Sequence, residues 1–180
     1  MQMRRWLFRI LATLALAAVF HVLTVVAFPR GMMLAFALKG KDPGRTENVL
    51  YHQPRVTAAS RFVVRPSPDL LYSVCAYDVS KAPLLISASV PDTYWSLSFF
   101  ASNTDNFFVV NDQEVKASPV DILLVGPGMA HKNPGNARVV ASPSNRGVAL
   151  IRILIADENR IEELTKIQRQ AFCRPVDQGF

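Results

Sequence analysis

Metal and nucleophile chemistry is thinly provided for in this chain, which has only 3 histidines and 2 cysteines in 180 residues. Beyond residue 45 the histidines are His52 and His131. No His-x-His, His-x-x-x-His or Cys-x-x-Cys spacing occurs, so zinc and iron centres have no ligand set. Gly-x-Ser-x-Gly, the Walker glycines and the dinucleotide fingerprint are also missing, which removes support for the common nucleophile and nucleotide-cofactor classes. The run Asn103, Thr104, Asp105, Asn106 offers oxygens but lacks the spaced pattern of a calcium loop. The expectation is no metal and no cofactor.

Acidic residues are short as well, 14 against 20 Lys and Arg, giving a formal charge of +6 and a pI near 9.7. The imbalance is local. Residues 1–45 hold 7 Lys and Arg and 1 acid, whereas residues 46–180 hold 13 of each. The larger part therefore has no net charge to attract phosphates, and it has no basic stripe interleaved with aromatics. Nucleic acid is excluded as the expected partner.

What the chain does have is an apolar run behind Arg4, Arg5 and Arg9. Residues 10–28 carry no formal charge. At ~1.5 Å per helical residue they reach ~28 Å, close to the hydrocarbon thickness of a bilayer. A cleaved export signal would end in a small-residue site, but Val25-Val26-Ala27-Phe28-Pro29-Arg30 is bulky there, so the run reads as an uncleaved anchor. His21, near Thr24, has no second ionisable neighbour in the span and reads as a lone satisfied imidazole. Arg30, Lys39, Lys41 and Arg45 on the far side nearly balance the N-terminal arginines. The basic tail directly before the apolar run has the layout of an export signal. The expectation is a single-pass protein of the bacterial inner membrane with its domain in the periplasm.

The organisation expected is a basic tail over 1–9, an anchor over 10–28, an interfacial segment and linker over 29–60, and a β-rich domain over 61–180. Pro29 suits the first turn of a new helix, and the apolar piece to Leu38 suits the interface. From residue 61 short apolar runs alternate with turn residues, at 61–65, 71–79, 84–90, 94–101, 107–111, 122–126, 137–142 and 148–155. This is the spacing of a β-sandwich or jelly-roll-like domain. Trp95, Leu97, Phe99 and Ala101 share one face of a strand and predict a core. Tyr94, Ser96, Ser98 and Phe100 share the other and predict solvent or a cavity. The run at 148–155 is apolar on both faces except for Arg152, as a central strand would be, and Arg152 then calls for a carboxylate or carbonyl partner. Asp157 can cap a helix, and Ile161, Leu164, Ile167, Ala171 and Phe172 recur at three and four, predicting a helix over 158–173 packed on the sheet.

Several short motifs follow one another in the order of the bacterial domain-of-unknown-function 1254 family. They are Val64-Arg65-Pro66-Ser67-Pro68-Asp69-Leu70-Leu71-Tyr72-Ser73, Tyr77-Asp78-Val79-Ser80-Lys81-Ala82-Pro83, Tyr94-Trp95-Ser96-Leu97 and Thr104-Asp105-Asn106-Phe107, with Gly126-Pro127 and Arg152 later. Over about residues 60–175 the chain resembles that family. Ser67 stands where the family has asparagine, and Thr93 where it has arginine. The resemblance implies a β-rich fold and no assigned reaction. Longer relatives carry a second β domain, so the resemblance also implies a possible envelope protein partner, a longer relative or a separately encoded second domain.

Candidate ligand-binding residues are Arg65, Asp69, Tyr72, Tyr94, Asn103, Asp105, Asn106 and Arg152, which folding could gather at one polar mouth. Against this, Asp69, Asp92, Asn103, Asp105 and Asn106 are turn formers, and Tyr72 has the composition of a core tyrosine. Cys75, in a strand, and Cys173, at the end of the expected helix, permit a disulfide clamping helix to sheet, or two separate buried thiols. The expected function is a membrane-anchored envelope domain that binds a small molecule or a partner envelope protein. The alternative is an enzyme using Asp69 or Asp105 with Tyr72 or Tyr94 in acid–base chemistry.

Overall fold

A computed structural model describes residues 2–39, 46–57, 59–60, 66–115, 118–130, 135 and 137–176 of the chain. It begins with one unbroken helix, α1 (Gln2–Lys39), containing Pro29. The expected break into an anchor and a separate interfacial helix does not occur. Proline fixes φ near its helical value, but it withdraws its N–H and crowds the carbonyl four residues back, so the helix runs through Pro29 at a local cost. Just beyond, Arg30 Nη1 donates to the Val26 carbonyl at 2.7 Å. The segment Gln2–Ala35 is long and apolar enough to cross a membrane by length and composition, and none of its apolar window is buried against the rest of the protein.

The remainder is mainly strand. In chain order the strands are β1 (Tyr51–His52), β2 (Leu70–Asp78), β3 (Leu84–Ala88), β4 (Trp95–Ala101), β5 (Asn106–Asn111), β6 (Val120–Val125), β7 (Arg138–Ala141) and β8 (Arg146–Leu154), followed by α2 (Ile161–Gln170) and β9 (Phe172–Pro175). Seven of the eight apolar runs became strands β2 to β8; the eighth, 61–65, lies outside the described residues. One sheet has the order β1-β2-β8-β4-β5 and the other β7-β6-β3-β9. Every pair is antiparallel except β6 with β7.

The two sheets share one core. Leu71, Cys75 and Tyr77 of β2, Trp95, Leu97 and Phe99 of β4, and Ala149, Ile151 and Ile153 of β8 meet Leu84 and Ile86 of β3 and Ile122 and Leu124 of β6 in a single buried cluster. Side chains in a strand alternate between faces, and the burial of β2 and β8 alternates with them. Leu164 of α2 joins the same cluster, as the amphipathic spacing predicted. Burying such a side chain contributes about 1.5–3 kcal/mol.

The C-terminal helix is shorter than expected. Asp157 does cap, its side chain accepting from the Asn159 N–H at 2.9 Å, but it caps a short 3-10 turn that leads into α2. Ala171 then turns extended, and Phe172 and Cys173 enter β9 along the edge of β3. The disulfide between Cys75 and Cys173 therefore joins sheet to sheet, not helix to sheet.

Candidate functional site

The register of the five-stranded sheet sets two of the candidates, Tyr72 and Arg152, in one row. Tyr72 lies opposite Arg152, Arg152 opposite Ser96, and Ser96 opposite Asn111, crossing β2, β8, β4 and β5. Directly opposed residues share a face, with Cβ atoms about 4.5–5.5 Å apart. This face is the one turned away from the core, because their neighbours Leu71, Leu97 and Ile151 point inward. On one side of the row stand Leu70 and Leu154, with Tyr94 bonded through its carbonyl to the Leu154 N–H. On the other stand Val74, Leu150, Ser98 and Val109. Tyr94 and Val109 are 43% and 44% exposed.

Arg152 lies on β8, third of the five strands. Among the described residues, the carboxylate or carbonyl that the sequence calls for is not supplied. Its Nε is buried and has no hydrogen-bond partner, and the same holds for the Ser96 hydroxyl beside it. Ser96 and Ser98 are themselves buried, at 2% and 1% exposure, although their alternation with the core residues points them outward. Three other arginines of the domain are neutralised. Arg55 meets Glu158, Arg146 meets Asp78, and Arg160 meets both Asp92 and Glu163.

Asp69, Asn103, Asp105 and Asn106 do not join this row. Tyr72 is half-buried, and its hydroxyl accepts from the Ser67 N–H at 3.0 Å. Asp69 sits in the turn before β2, with its N–H donating to the Ser67 hydroxyl. Asn103 and Asp105 lie in the β4–β5 turn and Asn106 opens β5, at the opposite end of β4 from Tyr94. Seven strand residues intervene, which at ~3.4 Å each is more than 20 Å. There the Asp105 N–H donates to the Asn103 side-chain oxygen at 3.3 Å, and Thr104 takes a positive φ of 73°, so these residues are turn formers. Asp92 is not simply a turn former: it receives Arg160 at 2.6 Å, and this contact holds its carboxyl below the usual range. Arg65 lies outside the described residues. Among the described residues no carboxylate is hydrogen-bonded to Tyr72 or Tyr94, and no three His, Cys, Asp or Glu side chains come together as a metal cluster.

One pair has no sequence signal. His52 Nδ1 lies 2.9 Å from the Ser73 hydroxyl, joining the edge strand β1 to β2. Ser73 is 1% exposed and points into the core, so the pair is structural. His52 also borders a cleft of about 170 Å³ with Arg55, Leu71, Thr165, Gln168 and Arg169. A second cleft, about 190 Å³, lies where Arg30, Met33 and Leu34 of α1 approach Ala76, Gly147 and Val148 on the outer face of the five-stranded sheet. Neither cleft is lined by Tyr94 or Arg152.

The profile of a family described as a protein of unknown function, DUF1254, matches residues 47–175. Among solved structures, the VPA0106 protein of Vibrio parahaemolyticus is similar with a TM-score of 0.65 at 15% identity, over 86% of this chain and 39% of that one. An uncharacterised protein of Burkholderia cenocepacia gives 0.48 at 13% identity, over 89% and 43%. The chain thus spans about two fifths of the length of the solved structures it matches. No curated protein matches it.

Proposed function

Because the chain belongs to the DUF1254 family of proteins of unknown function, whose name carries no reaction, we propose its role from geometry: a membrane-tethered module that docks a partner envelope protein on the outer face of its five-stranded sheet. The tether is α1. Its uncharged residues 10–28 match a bilayer in length, and their apolar side chains find no partner in the rest of the protein. Arg4, Arg5 and Arg9 stay on the cytoplasmic side, and the domain stands in the periplasm of a bacterial inner membrane.

The observation that carries the docking reading is the outer face itself. Tyr94 and Val109 are exposed beside half-buried Leu70, Val74, Leu150 and Leu154, and four strands at ~4.8 Å spacing make a face roughly 15–20 Å wide. Exposed apolar surface grouped on one side of a domain marks an interaction site. A small molecule asks for a concave site, and among the described residues the clefts beside His52 and beside Arg30 stand apart from Tyr94 and Arg152. The acid–base alternative built on Asp105 lacks geometric support, since Asp105 sits at the far end of β4 from Tyr94 and bonds within its own turn.

A photo-crosslinking amino acid placed at Val109 in the full chain, in native membranes, tests this. The control position is Val139 on β7 of the other sheet, 39% exposed. A discrete protein adduct from Val109 and none from Val139 is the expected result. Equal adducts from both, or none from Val109, would contradict the docking reading.

A further inference from the structure

The row across β2, β8, β4 and β5 holds a cation that no described residue neutralises. We infer that Arg152 is the recognition point for a carboxylate side chain, an aspartate or glutamate carried by the docking partner. This rests on the docking reading and specifies the chemistry of the partner's central contact. Arg152 sits midway along the partly apolar face, between the row of Leu70, Leu154 and Tyr94 and the row of Val74, Leu150 and Val109. Its Nε is buried without a hydrogen-bond partner, its terminal nitrogens bond no described residue, and the residue as a whole is half-buried. One edge of the guanidinium is therefore sunk beside Ser96, while the side chain as a whole keeps part of its exposure.

A half-buried charge with no counter-ion loses hydration and regains nothing for it. Arg55, Arg146 and Arg160 each meet a carboxylate within the chain. Asp112, just beyond Asn111 in sequence, is occupied: its carboxylate accepts from the Trp95 N–H at 3.2 Å. A carboxylate arriving from outside takes two N–H donors of a guanidinium in a bidentate pair, and a small shift of the Arg152 side chain lets the unpartnered Ser96 hydroxyl donate to it as well. The other members of the row, Tyr72, Ser96 and Asn111, are neutral, so one positive charge meets one negative charge. This matches an aspartate or glutamate rather than a phosphate dianion. The apolar residues around it exclude water and strengthen the pair.

The test is carried out on the full chain in membranes, reading the Val109 adduct in Arg152→Met, Arg152→Glu and Ser96→Ala variants. Melting profiles matching the wild type establish that each variant is folded; Ser96→Ala keeps the charge and serves as the second probe should Arg152→Met not fold. The inference predicts that Arg152→Met lowers apparent affinity about 10–100-fold, the usual range for losing a hydrogen-bonded charge, with a smaller loss for Ser96→Ala. Arg152→Glu should abolish the adduct, and replacing by arginine an Asp or Glu in the partner peptide identified by mass spectrometry should restore it. Unchanged adduct yield in Arg152→Met and Ser96→Ala would overturn the carboxylate inference while leaving the docking reading intact. Absence of any wild-type adduct at Val109 would overturn the docking reading itself. Failure of every acidic swap to rescue Arg152→Glu would also overturn the inference.

Discussion

Cys75 of β2 and Cys173 of β9 are joined across the sandwich, tying one sheet to the other with their Cα atoms 6.8 Å apart. The two half-cystines are 98 residues apart in sequence, so the bond closes a loop that includes β3 to β8 and α2. It fastens the last strand, which borders only β3, after the chain has left α2.

Removing this bond should destabilise the domain strongly, because long loops lose most entropy when closed in the unfolded chain. The expected loss for Cys75→Ser with Cys173→Ser is about 2–5 kcal/mol. Chemical denaturation of the full chain in detergent, with and without reductant, measures it. A midpoint that is the same for wild type under both conditions and for the double variant would show that the two cysteines act separately.

Gly147 is required by crowding. A Cβ there would stand 2.1 Å from the Phe100 carbonyl oxygen and 2.3 Å from the Tyr77 hydroxyl. That hydroxyl is buried, donating to Phe100 O at 3.1 Å and bonding the Ser142 hydroxyl at 3.0 Å. Gly147→Ala should cost about 1–3 kcal/mol or more, as overpacking does. Tyr77→Phe should cost less in the Gly147→Ala background than in the wild type, since it removes one of the clashing atoms. Strict additivity in a double-mutant cycle would rule out this contact as the cause.

Stability should fall on mild acidification, and His52 is the reason. Burial lowers its pKa from the ordinary 6.5, the backbone bond at Ala171 works the other way, and Arg169 lowers it further. The folded state therefore prefers the neutral ring, and below about pH 6.5 the unfolded chain binds the extra proton. The contribution is complete above the unfolded pKa and is lost as pH falls toward the folded one. His52→Gln keeps a polar contact for Ser73 and should flatten the stability curve between about pH 7.5 and pH 5. An equal slope in both proteins would assign the acid sensitivity elsewhere.

The β4–β5 turn should prove dispensable for docking. Asp105 bonds within its own turn to Asn103, at the other end of β4 from Tyr94. Asp105→Asn should change stability by less than about 0.5 kcal/mol and leave the Val109 adduct intact. Loss of the adduct in a folded Asp105→Asn protein would extend the docking surface to this turn.

Period-two burial was readable from residues alone where one face is apolar. Trp95, Leu97, Phe99 and Ala101 point into the core as their alternation demands. The outward Ser96 and Ser98 are buried too, and composition does not show that. Phe172 and Cys173 were misread because their apolar spacing continues the stripe of α2, while the turn at Ala171 depends on pairing with β3, more than 80 residues away. Arg152 was visible as the one charge in an apolar strand. Its lack of a counter-ion was not, because that follows from cross-strand register with Tyr72 and Ser96, which local spacing does not encode. The His52–Ser73 contact was hidden for the same reason, in a strand of two residues.

Hydroxyl-radical footprinting of Tyr94 most directly tests whether the outer face is covered in the cell membrane. Tyr94 is 43% exposed, and Phe172 on β9 of the other sheet, 37% exposed, serves as the internal reference. The prediction is that Tyr94 is oxidised several-fold less in native membranes than in the purified, reconstituted chain, while Phe172 is oxidised equally in both. Equal oxidation of Tyr94 in the two preparations would contradict a docking role for this face.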